Sequence, residues 1–220
     1  MTTPAAGSAT DHNAATPTIA EDVQLMLAHD PGRLDFNTVA PVAGVFVELA
    51  LLGRISSAAK KGFFVDVMGL ITVADATPTG NPILDSALRA IVEHGSPWQT
   101  HRAMLATRLD VTAQVHSVLE ARGLTRTVGK PESRGGYLEI VDSEAVEARR
   151  AVLGRARMLP DTVDDPRLGA VVDLLRSSGN LYRGETGPIH SRITRDWYPP
   201  NTTATLGRIL AAEGYLAESQ

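Results

Sequence analysis

Cysteine is missing from this chain of 220 residues, and aromatic side chains make up only 5% of it. Without cysteine the chain has no disulfide, no thiolate nucleophile and no cysteine-ligated zinc site. With so few aromatic residues, the core must be built from leucine, valine, alanine and isoleucine. The hydrophobic content of 43% is enough for one large domain. A reducing cytoplasm fits this composition, so we expect a cytoplasmic protein.

Long apolar runs and an excess of positive charge are also missing. No stretch reaches the roughly 18 apolar residues of a transmembrane helix. The longest candidate, residues 39–52, is short and contains Glu48. The N-terminus has no basic segment followed by an apolar one, so no secretion signal is predicted. The net charge of −4 disfavours nucleic acid, because neutralising phosphates needs a basic face.

The first residues of the chain predict a tail followed by helices. Residues 1–17 contain mainly small and polar side chains and are predicted to form a disordered tail, which leaves residues 18–220 as a single domain. Thr18 and Glu21 have the spacing of a capping box, which predicts a helix start. Apolar residues then recur at helical spacing and predict a buried central helix. They are Val42, Val45, Phe46, Leu49 and Leu52.

Two pairs of short strands interrupt the helical pattern. The first hairpin is predicted from residues 63–66 and 70–74, and the second from residues 124–128 and 137–141. Further helices are predicted at residues 82–94, 97–106, 111–122, 143–157, 168–175 and 203–212. The expected fold is therefore mainly α, built around a buried central helix, with two small β-hairpins.

Two helix features could carry chemistry or bind a ligand. Glu48 is either an acid or base with a shifted pKa or, as we prefer, the partner of a core-edge arginine such as Arg33 or Arg54. The helix start at Asn81 and Pro82 could offer free N–H groups to a phosphate, but a well-made turn and cap already explain these residues.

Familiar catalytic motifs do not occur in the sequence. The six histidines lack the spacing of a helical metal site and are interpreted as surface or helix-end residues. There is no Gly-x-Ser-x-Gly elbow, no Walker loop and no glycine-rich dinucleotide motif. We therefore expect no enzyme activity, no metal and no cofactor.

A helix followed by a hairpin, residues 111–141, has the outline of half a winged-helix domain. Its basic side chains could meet phosphates of DNA or of lipid head groups. Alternatively they form a solvated charged edge, because Glu120, Glu132 and Glu139 dilute the positive potential. The basic residues are Arg122, Arg126, Lys130 and Arg134.

Several segments taken together resemble the Golgi phosphoprotein 3 family. They are residues 21–27, 48–55, 78–85, 87–88 and 118–124. A Glu-Leu-Ala-Leu segment alone would carry no information. It becomes specific when a Pro-Thr-Gly turn follows about 30 residues later. The resemblance extends from residue 19 to the C-terminus.

The resemblance implies a compact helical bundle in which one hairpin protrudes, together with self-association and reversible attachment to the cytoplasmic face of a membrane. Eukaryotic members bind phosphatidylinositol 4-phosphate and recruit Golgi glycosyltransferases by their short cytosolic tails. A tryptophan and three arginines line their lipid pocket, and the aligned positions here hold Arg33, Val42, Leu109 and Thr112. A composition rich in alanine, arginine and glycine suits a bacterial relative.

The expected function is a non-enzymatic peripheral membrane adaptor that binds anionic lipid head groups weakly and transiently. The candidate lipid-binding residues are Arg33, Arg108, Arg122, Arg126, Lys130 and Arg134, and the candidate hairpin contacts are Tyr137, Leu138 and Ile140. One alternative is a soluble scaffold that binds protein partners through its hairpin. Another is a DNA-binding regulator that inserts residues 111–122 into the major groove. That helix has no base-reading arginine before Arg122, so nucleic acid ranks last.

Overall fold

The computed structural model describes residues 16–30, 33–34, 39–58, 69–129, 136–158, 164–177, 198 and 200–218. Within these ranges the helices are α1 (Ile19–Met26), α2 (Ala40–Leu51), α3 (Pro82–His94), α4 (Thr100–Ala121), α5 (Ser143–Met158), α6 (Pro166–Ser177) and α7 (Pro200–Glu218). The strands are β1 (Ala28–Asp30), β2 (Arg33–Leu34), β3 (Ile55–Ala58), β4 (Leu70–Val73), β5 (Trp98–Gln99), β6 (Thr125–Val128) and β7 (Tyr137–Ile140). The prediction of a mainly helical fold with two small hairpins is confirmed.

Helix α2 lies at the centre of the molecule. Its residues from Ala40 to Ala50 are all buried, and it packs against α1, α3, α4, α6 and α7. Gly44 allows α1 to approach closely, because a Cβ atom there would lie only 3.1 Å from the backbone of Ala20. Phe46 is among the largest fully buried side chains. The predicted buried central helix is confirmed.

The apolar core includes side chains from all seven of these helices. Of the predicted tail, residues 1–15 lie outside the described residues. The backbone oxygen of Pro17 accepts a hydrogen bond of 2.6 Å from Arg167, so this last part of the predicted tail contacts the body of the protein. The boundary of a single domain at residue 18 stays a prediction.

Both sheets are small and antiparallel. One has the strand order β1-β2-β7-β6 and the other β3-β4-β5. Strands β6 and β7 form the second predicted hairpin, with Thr125 opposite Ile140 and Arg126 opposite Glu139. Strand β2 continues this sheet, and Arg33 lies opposite Glu139. Two distant segments of the chain therefore meet beside the hairpin.

The first hairpin uses a strand that the sequence did not indicate. Strand β4 pairs with β3, and the predicted strand at residues 63–66 lies outside the described residues. Helix α7 holds the outer edge of β3: the Ser57 N–H donates to Thr205 Oγ1 at 3.0 Å, and Arg208 donates to the Ser57 carbonyl at 2.7 Å. The polar sequence of β3 gives little strand signal. Its position is fixed by these tertiary contacts and not by local propensity.

Helix α4 is one continuous helix of 22 residues, whereas the sequence predicted two, at residues 97–106 and 111–122. The hydroxyl of buried Thr107 donates to the Ala103 carbonyl at 2.9 Å, so this polar side chain is satisfied within the helix. The residues before Thr100 form β5 and not a first helical turn. Gly123, at a φ of 72°, follows the end of α4, as predicted.

Two predicted helix starts are confirmed. Thr18 Oγ1 accepts a hydrogen bond of 3.2 Å from the Glu21 N–H, and the Glu21 carboxylate accepts one of 2.7 Å from the Thr18 N–H. Asn81 Oδ1 accepts from the N–H groups of Ile83 and Leu84 at 2.9 and 3.3 Å. These donors at the start of α3 therefore have partners, which supports the interpretation as a helix cap and not as a phosphate-binding site.

Candidate functional site

Glu48, the carboxylate in the central helix, serves the fold. It is buried, its Oε2 accepts a hydrogen bond of 2.8 Å from the Ile19 N–H, and its Oε1 forms an ion pair with Arg167. The predicted ion pair is confirmed, but the partner is Arg167 of α6. Arg54 instead pairs with Asp75. Burial raises the pKa of Glu48, and the Arg167 guanidinium opposes that shift. With both oxygens occupied, this carboxylate joins three helices and is not placed for acid–base chemistry.

Each of three buried carboxylates on α1 and α2 faces an arginine from another part of the chain. The pairs are Glu21–Arg122 (3.3 Å), Asp22–Arg149 (2.7 Å) and Glu48–Arg167. Arg122, a candidate lipid contact from the sequence, is thus the residue that follows α4 and pairs with α1. Its positive charge is offset inside the protein, which leaves less of it for an anionic surface.

Among the basic residues of the hairpin sheet, Arg126 also has a carboxylate partner. Arg126 is paired with Glu139 on the neighbouring strand. Arg33 lies at the register position on the other side of Glu139, so two strand spacings, about 10 Å, separate it from Arg126. The sheet therefore brings two of the candidate arginine positions together around one carboxylate. Lys130 and Arg134 lie outside the described residues.

The three apolar hairpin candidates differ in exposure. Leu138 has no exposed surface and belongs to the core, opposite Leu34 and Thr127. Tyr137 and Ile140 are half-buried, and Ile140 packs against the main core. As a correction to the sequence-based prediction, Leu138 is a structural residue, because alternation along the strand turns it towards the protein interior.

An exposed apolar surface lies on α4, beside Arg108, one of the lipid-binding candidates predicted from the sequence. Leu109 is 73% exposed and Leu105, one turn earlier, is 45% exposed. On α7, Tyr215 is 53% exposed, and its ring meets the ring of His101 edge-on with 5.9 Å between the centroids. These four side chains follow one another along the surface, because residues four apart share a helix face.

Two arginines border this surface. Arg102 is exposed and Arg108 is half-buried, and neither forms an ion pair within the described ranges. Asp110 lies roughly 200° around the helix from Arg108, on the other side. Burial, followed by the charge of Arg102, lowers the pKa of His101, so the positive charge at neutral pH comes from the arginines. We call the surface the α4 patch; it comprises His101, Arg102, Leu105, Arg108, Leu109 and Tyr215.

The sequence contained a usable signal for the α4 patch. The buried face in the first half of α4 is already complete with Ala103, Met104, Thr107 and Val111. Leu105 and Leu109 fall outside that face, and only an unbroken helix reveals this. Two separate helices at residues 97–106 and 111–122, as the sequence predicts, do not show this pattern. Of the basic residues predicted from the sequence, Arg108 alone belongs to the α4 patch.

The second half of α4 is poorly arranged to read DNA. Val111, Val115, His116 and Leu119 are all buried. Burial lowers the pKa of His116 to about 4, so this side chain is neutral at pH 7 as well as inaccessible to a base edge. The interpretation of the histidines as surface or helix-end residues is therefore wrong for His116.

The Pro-Thr-Gly turn before α3 is held by Asp85. Its carboxylate accepts hydrogen bonds from the Thr79 N–H (2.6 Å), the Thr79 hydroxyl (2.8 Å) and the Gly80 N–H (3.2 Å). Gly80 has a φ of 81°, a backbone conformation that favours glycine. The segment thus forms a rigid turn. Like the segment that contains Glu48, it stabilises the fold and does not form a ligand site.

Comparison with known proteins agrees with this fold-level pattern. A family model described as Golgi phosphoprotein 3 (GPP34) matches residues 19–184, well over half of the chain. A search of curated proteins found no match to the chain. Among the described helices none is long and apolar enough to span a bilayer. Nor do the described residues contain three or more His, Asp or Glu side chains grouped to hold a metal. The match over residues 19–184 establishes that the chain belongs to the Golgi phosphoprotein 3 family.

Proposed function

We propose that this protein is a non-enzymatic peripheral membrane adaptor that binds anionic lipid head groups weakly through the α4 patch. The supporting observation is the combination, on one surface, of the exposed side chains Leu105, Leu109 and Tyr215 with Arg102 and Arg108. Single exposed apolar residues are ordinary on soluble proteins. An apolar strip bordered by arginines is the pattern of helices that lie in a membrane interface.

Simple energetics make the attachment reversible. Removing the exposed parts of Leu105 and Leu109 from water contributes about 2–3 kcal/mol. Each arginine near an anionic surface contributes about 1 kcal/mol. The sum of about 4–5 kcal/mol corresponds to dissociation constants near the millimolar range. Self-association, which membership of the family suggests, would strengthen attachment by presenting two or more patches to one bilayer.

The hairpin contributes less in this proposal than the sequence suggested. Arg122 and Arg126 each pair with a carboxylate of the protein itself, which reduces their attraction for phosphate. Arg33, Lys130 and Arg134 remain secondary candidates for head-group contact. Vesicles with different anionic lipids distinguish which lipid the protein prefers, including any preference for phosphatidylinositol 4-phosphate.

The test is flotation of the full chain with vesicles of phosphatidylcholine alone, with phosphatidylserine added, or with phosphatidylinositol 4-phosphate added. We expect salt-sensitive flotation with the anionic vesicles, because the arginine contribution is electrostatic. The double variant Arg102→Gln with Arg108→Gln should lose most of this flotation, by about tenfold or more. The matched control is Arg155→Gln, an exposed arginine of α5 outside the patch, and it should float like the unchanged protein.

The apolar part of the patch has its own control. Leu109→Gln should reduce flotation, whereas Leu52→Gln, at an exposed leucine beyond α2, should not. Failure of the unchanged protein to bind at any anionic lipid content would end the membrane proposal. Equal losses in the patch and control variants would show that the α4 patch is not the binding surface.

A further inference from the structure

The α4 patch contains one side chain that can change its charge near neutral pH. His101 is half-buried in the first turn of α4, and its ring meets the ring of Tyr215 on α7 edge-on. Arg102 is the next residue along the chain. Arg108, seven residues after His101, lies on the same face of the helix and about 10 Å along its axis. A proton on His101 would therefore place three positive charges on this one surface.

The Nδ1 atom of His101 is buried and has no hydrogen-bond partner among the residues that the structure describes. In the neutral ring only one nitrogen carries a hydrogen, so Nδ1 can stay bare. In the charged ring both nitrogens carry one, and both need an acceptor. A buried N–H of a charged group without an acceptor is costly. The charged ring is therefore expected to turn away from Tyr215 and out of the protein.

The described surroundings of His101 do not compensate a positive charge. Burial and then the charge of Arg102 lower its pKa from the ordinary 6.5, and no described carboxylate opposes this shift. The titratable side chains that the structure describes on the elements packed most closely against α4 are Glu21 and Asp22 on α1, Glu48 on α2, Asp85, Arg89, Glu93 and His94 on α3, Arg126 on β6, and Arg208, Glu213 and Tyr215 on α7.

The acids nearest in the fold are already engaged. The carboxylates of α1 and α2 face arginines, as described above, and Glu213 on α7 is buried against Ser177. On α3, Asp85 holds the turn before the helix. The ring of His94 lies against Trp98, with 3.8 Å between the centroids. An acceptor for the charged form of His101 must therefore come from outside the described part of the chain.

We propose that His101 makes the head-group contact of the α4 patch pH-sensitive: in mildly acid solution it takes up a proton, turns out from Tyr215 and joins Arg102 and Arg108 in binding the phosphate of an anionic lipid. This inference rests on the proposed function and deepens it. The phosphate supplies both a negative charge and the acceptor that the imidazolium needs. Proton uptake and lipid binding therefore strengthen each other, as linkage requires.

The direction of the pH effect follows from the same contact. The phosphate favours the charged ring, so lipid binding raises the pKa of His101. Attachment is tightest below the pKa of the free protein, and the gain is lost as the pH rises through the higher pKa of the bound protein. Because the pKa of the free protein is below 6.5, the change should fall between about pH 5 and pH 7.5. One added charge at an anionic surface corresponds to about fivefold tighter binding.

The experiment is flotation of the full chain at pH 5 and pH 7.5 with vesicles of phosphatidylcholine and phosphatidylglycerol, an anionic lipid that keeps its charge over this range. The quantity compared is the ratio of the binding constants at the two pH values. His101→Gln should lower this ratio about fivefold. His94→Gln removes a histidine from an exposed position outside the patch and should keep the ratio of the unchanged protein, which controls for overall charge.

A third variant tests the charge directly. His101→Lys carries a charge that does not titrate in this range, so it should bind at pH 7.5 about fivefold more tightly than the unchanged protein. A purely structural role of His101 predicts no such gain. Thermal unfolding without vesicles verifies that each variant folds.

The possible failures are distinguishable. Equal ratios in the unchanged protein and in His101→Gln would overturn this inference alone, because flotation itself would still support the proposed function. Loss of the pH effect in His94→Gln as well as in His101→Gln would also overturn it, since overall charge would then be the cause. No flotation of the unchanged protein at either pH would overturn the proposed function, and this inference with it.

Discussion

Buried acid groups are handled in opposite ways in two regions of this fold. Around α1, the carboxylates of Glu21, Asp22 and Glu48 each face an arginine from a distant segment. On α7, Glu213 is fully buried, and the hydroxyl of Ser177 donates to its Oε2 at 2.6 Å. Its Oε1 has no hydrogen-bond partner in the described part of the chain. One region neutralises buried charge by pairing, and the other by binding a proton.

The pKa of Glu213 follows from this environment. Burial raises the pKa from its ordinary 4.5 to about 8, and the hydrogen bond from Ser177 opposes the shift. The side chain is therefore mostly a neutral acid at pH 7. A paired carboxylate needs its partner in place, but a protonated one needs only an apolar site.

Breaking the pair at Glu48 should have the largest effect on stability. Arg167→Met leaves a buried carboxylate without its cation, and we expect a loss of about 3–4 kcal/mol in the free energy of unfolding at pH 7. Urea denaturation measures it. The loss should shrink at pH 4–5, where protonation of Glu48 removes the unpaired charge. Adding Glu48→Gln to the variant should recover part of the loss, and a loss independent of pH would contradict this account.

The next largest effect concerns Glu213, where substitution should increase stability instead of lowering it. Because its pKa is raised on folding, its contribution to stability is fully present below pH 4.5 and is lost as the pH rises towards 8. Glu213→Gln keeps an acceptor for Ser177 and removes this titration. We expect the variant to be more stable than the unchanged protein by about 2–3 kcal/mol at pH 8 and nearly equal to it at pH 4.5. Urea denaturation across this pH range would refute the idea if the two curves ran parallel.

The smallest effect should come from the hydrogen bond to Glu213. Ser177→Ala removes a donor that favours the charged form, so the pKa of Glu213 should rise further. The expected cost at pH 7 is about 1 kcal/mol. The upper end of the pH range over which stability is lost should move upwards, which distinguishes this hydrogen bond from simple packing. Ser56→Ala, at an exposed serine of β3, supplies the control and should leave the profile unchanged.

Local signals in the sequence predicted local structure well. The Thr18 capping box, the Asn81 cap and the apolar repeat of α2 each depend on residues within a few turns, and the structure confirms them. The partner of Glu48 lies 119 residues away along the chain, and nothing near Glu48 identifies Arg167. Strand β3 likewise takes its place from α7. Tertiary contacts of this kind have no pattern in the local sequence.

The candidate site was harder to predict than the fold. Charge alone makes a basic residue a candidate in a sequence, but the structure pairs Arg122 and Arg126 with carboxylates. Exposure, and not residue type alone, decides which arginines can meet another molecule. Identifying the α4 patch requires knowing which face of α4 remains in water. The apolar pattern of a helix identifies its buried face, but it gives little information about what the exposed face binds.

The unbroken length of α4 has a mechanical consequence. With 22 residues it is a rod of about 33 Å. A molecule resting on the first half of this rod would lie with the helix axis nearly parallel to the bilayer plane. Strand β6, which begins two residues after Gly123, would then be held at a fixed height and sideways distance from the anchoring leucines. The tilt of the whole protein on a membrane, and with it the reach of the hairpin, would be set by the straightness of one helix.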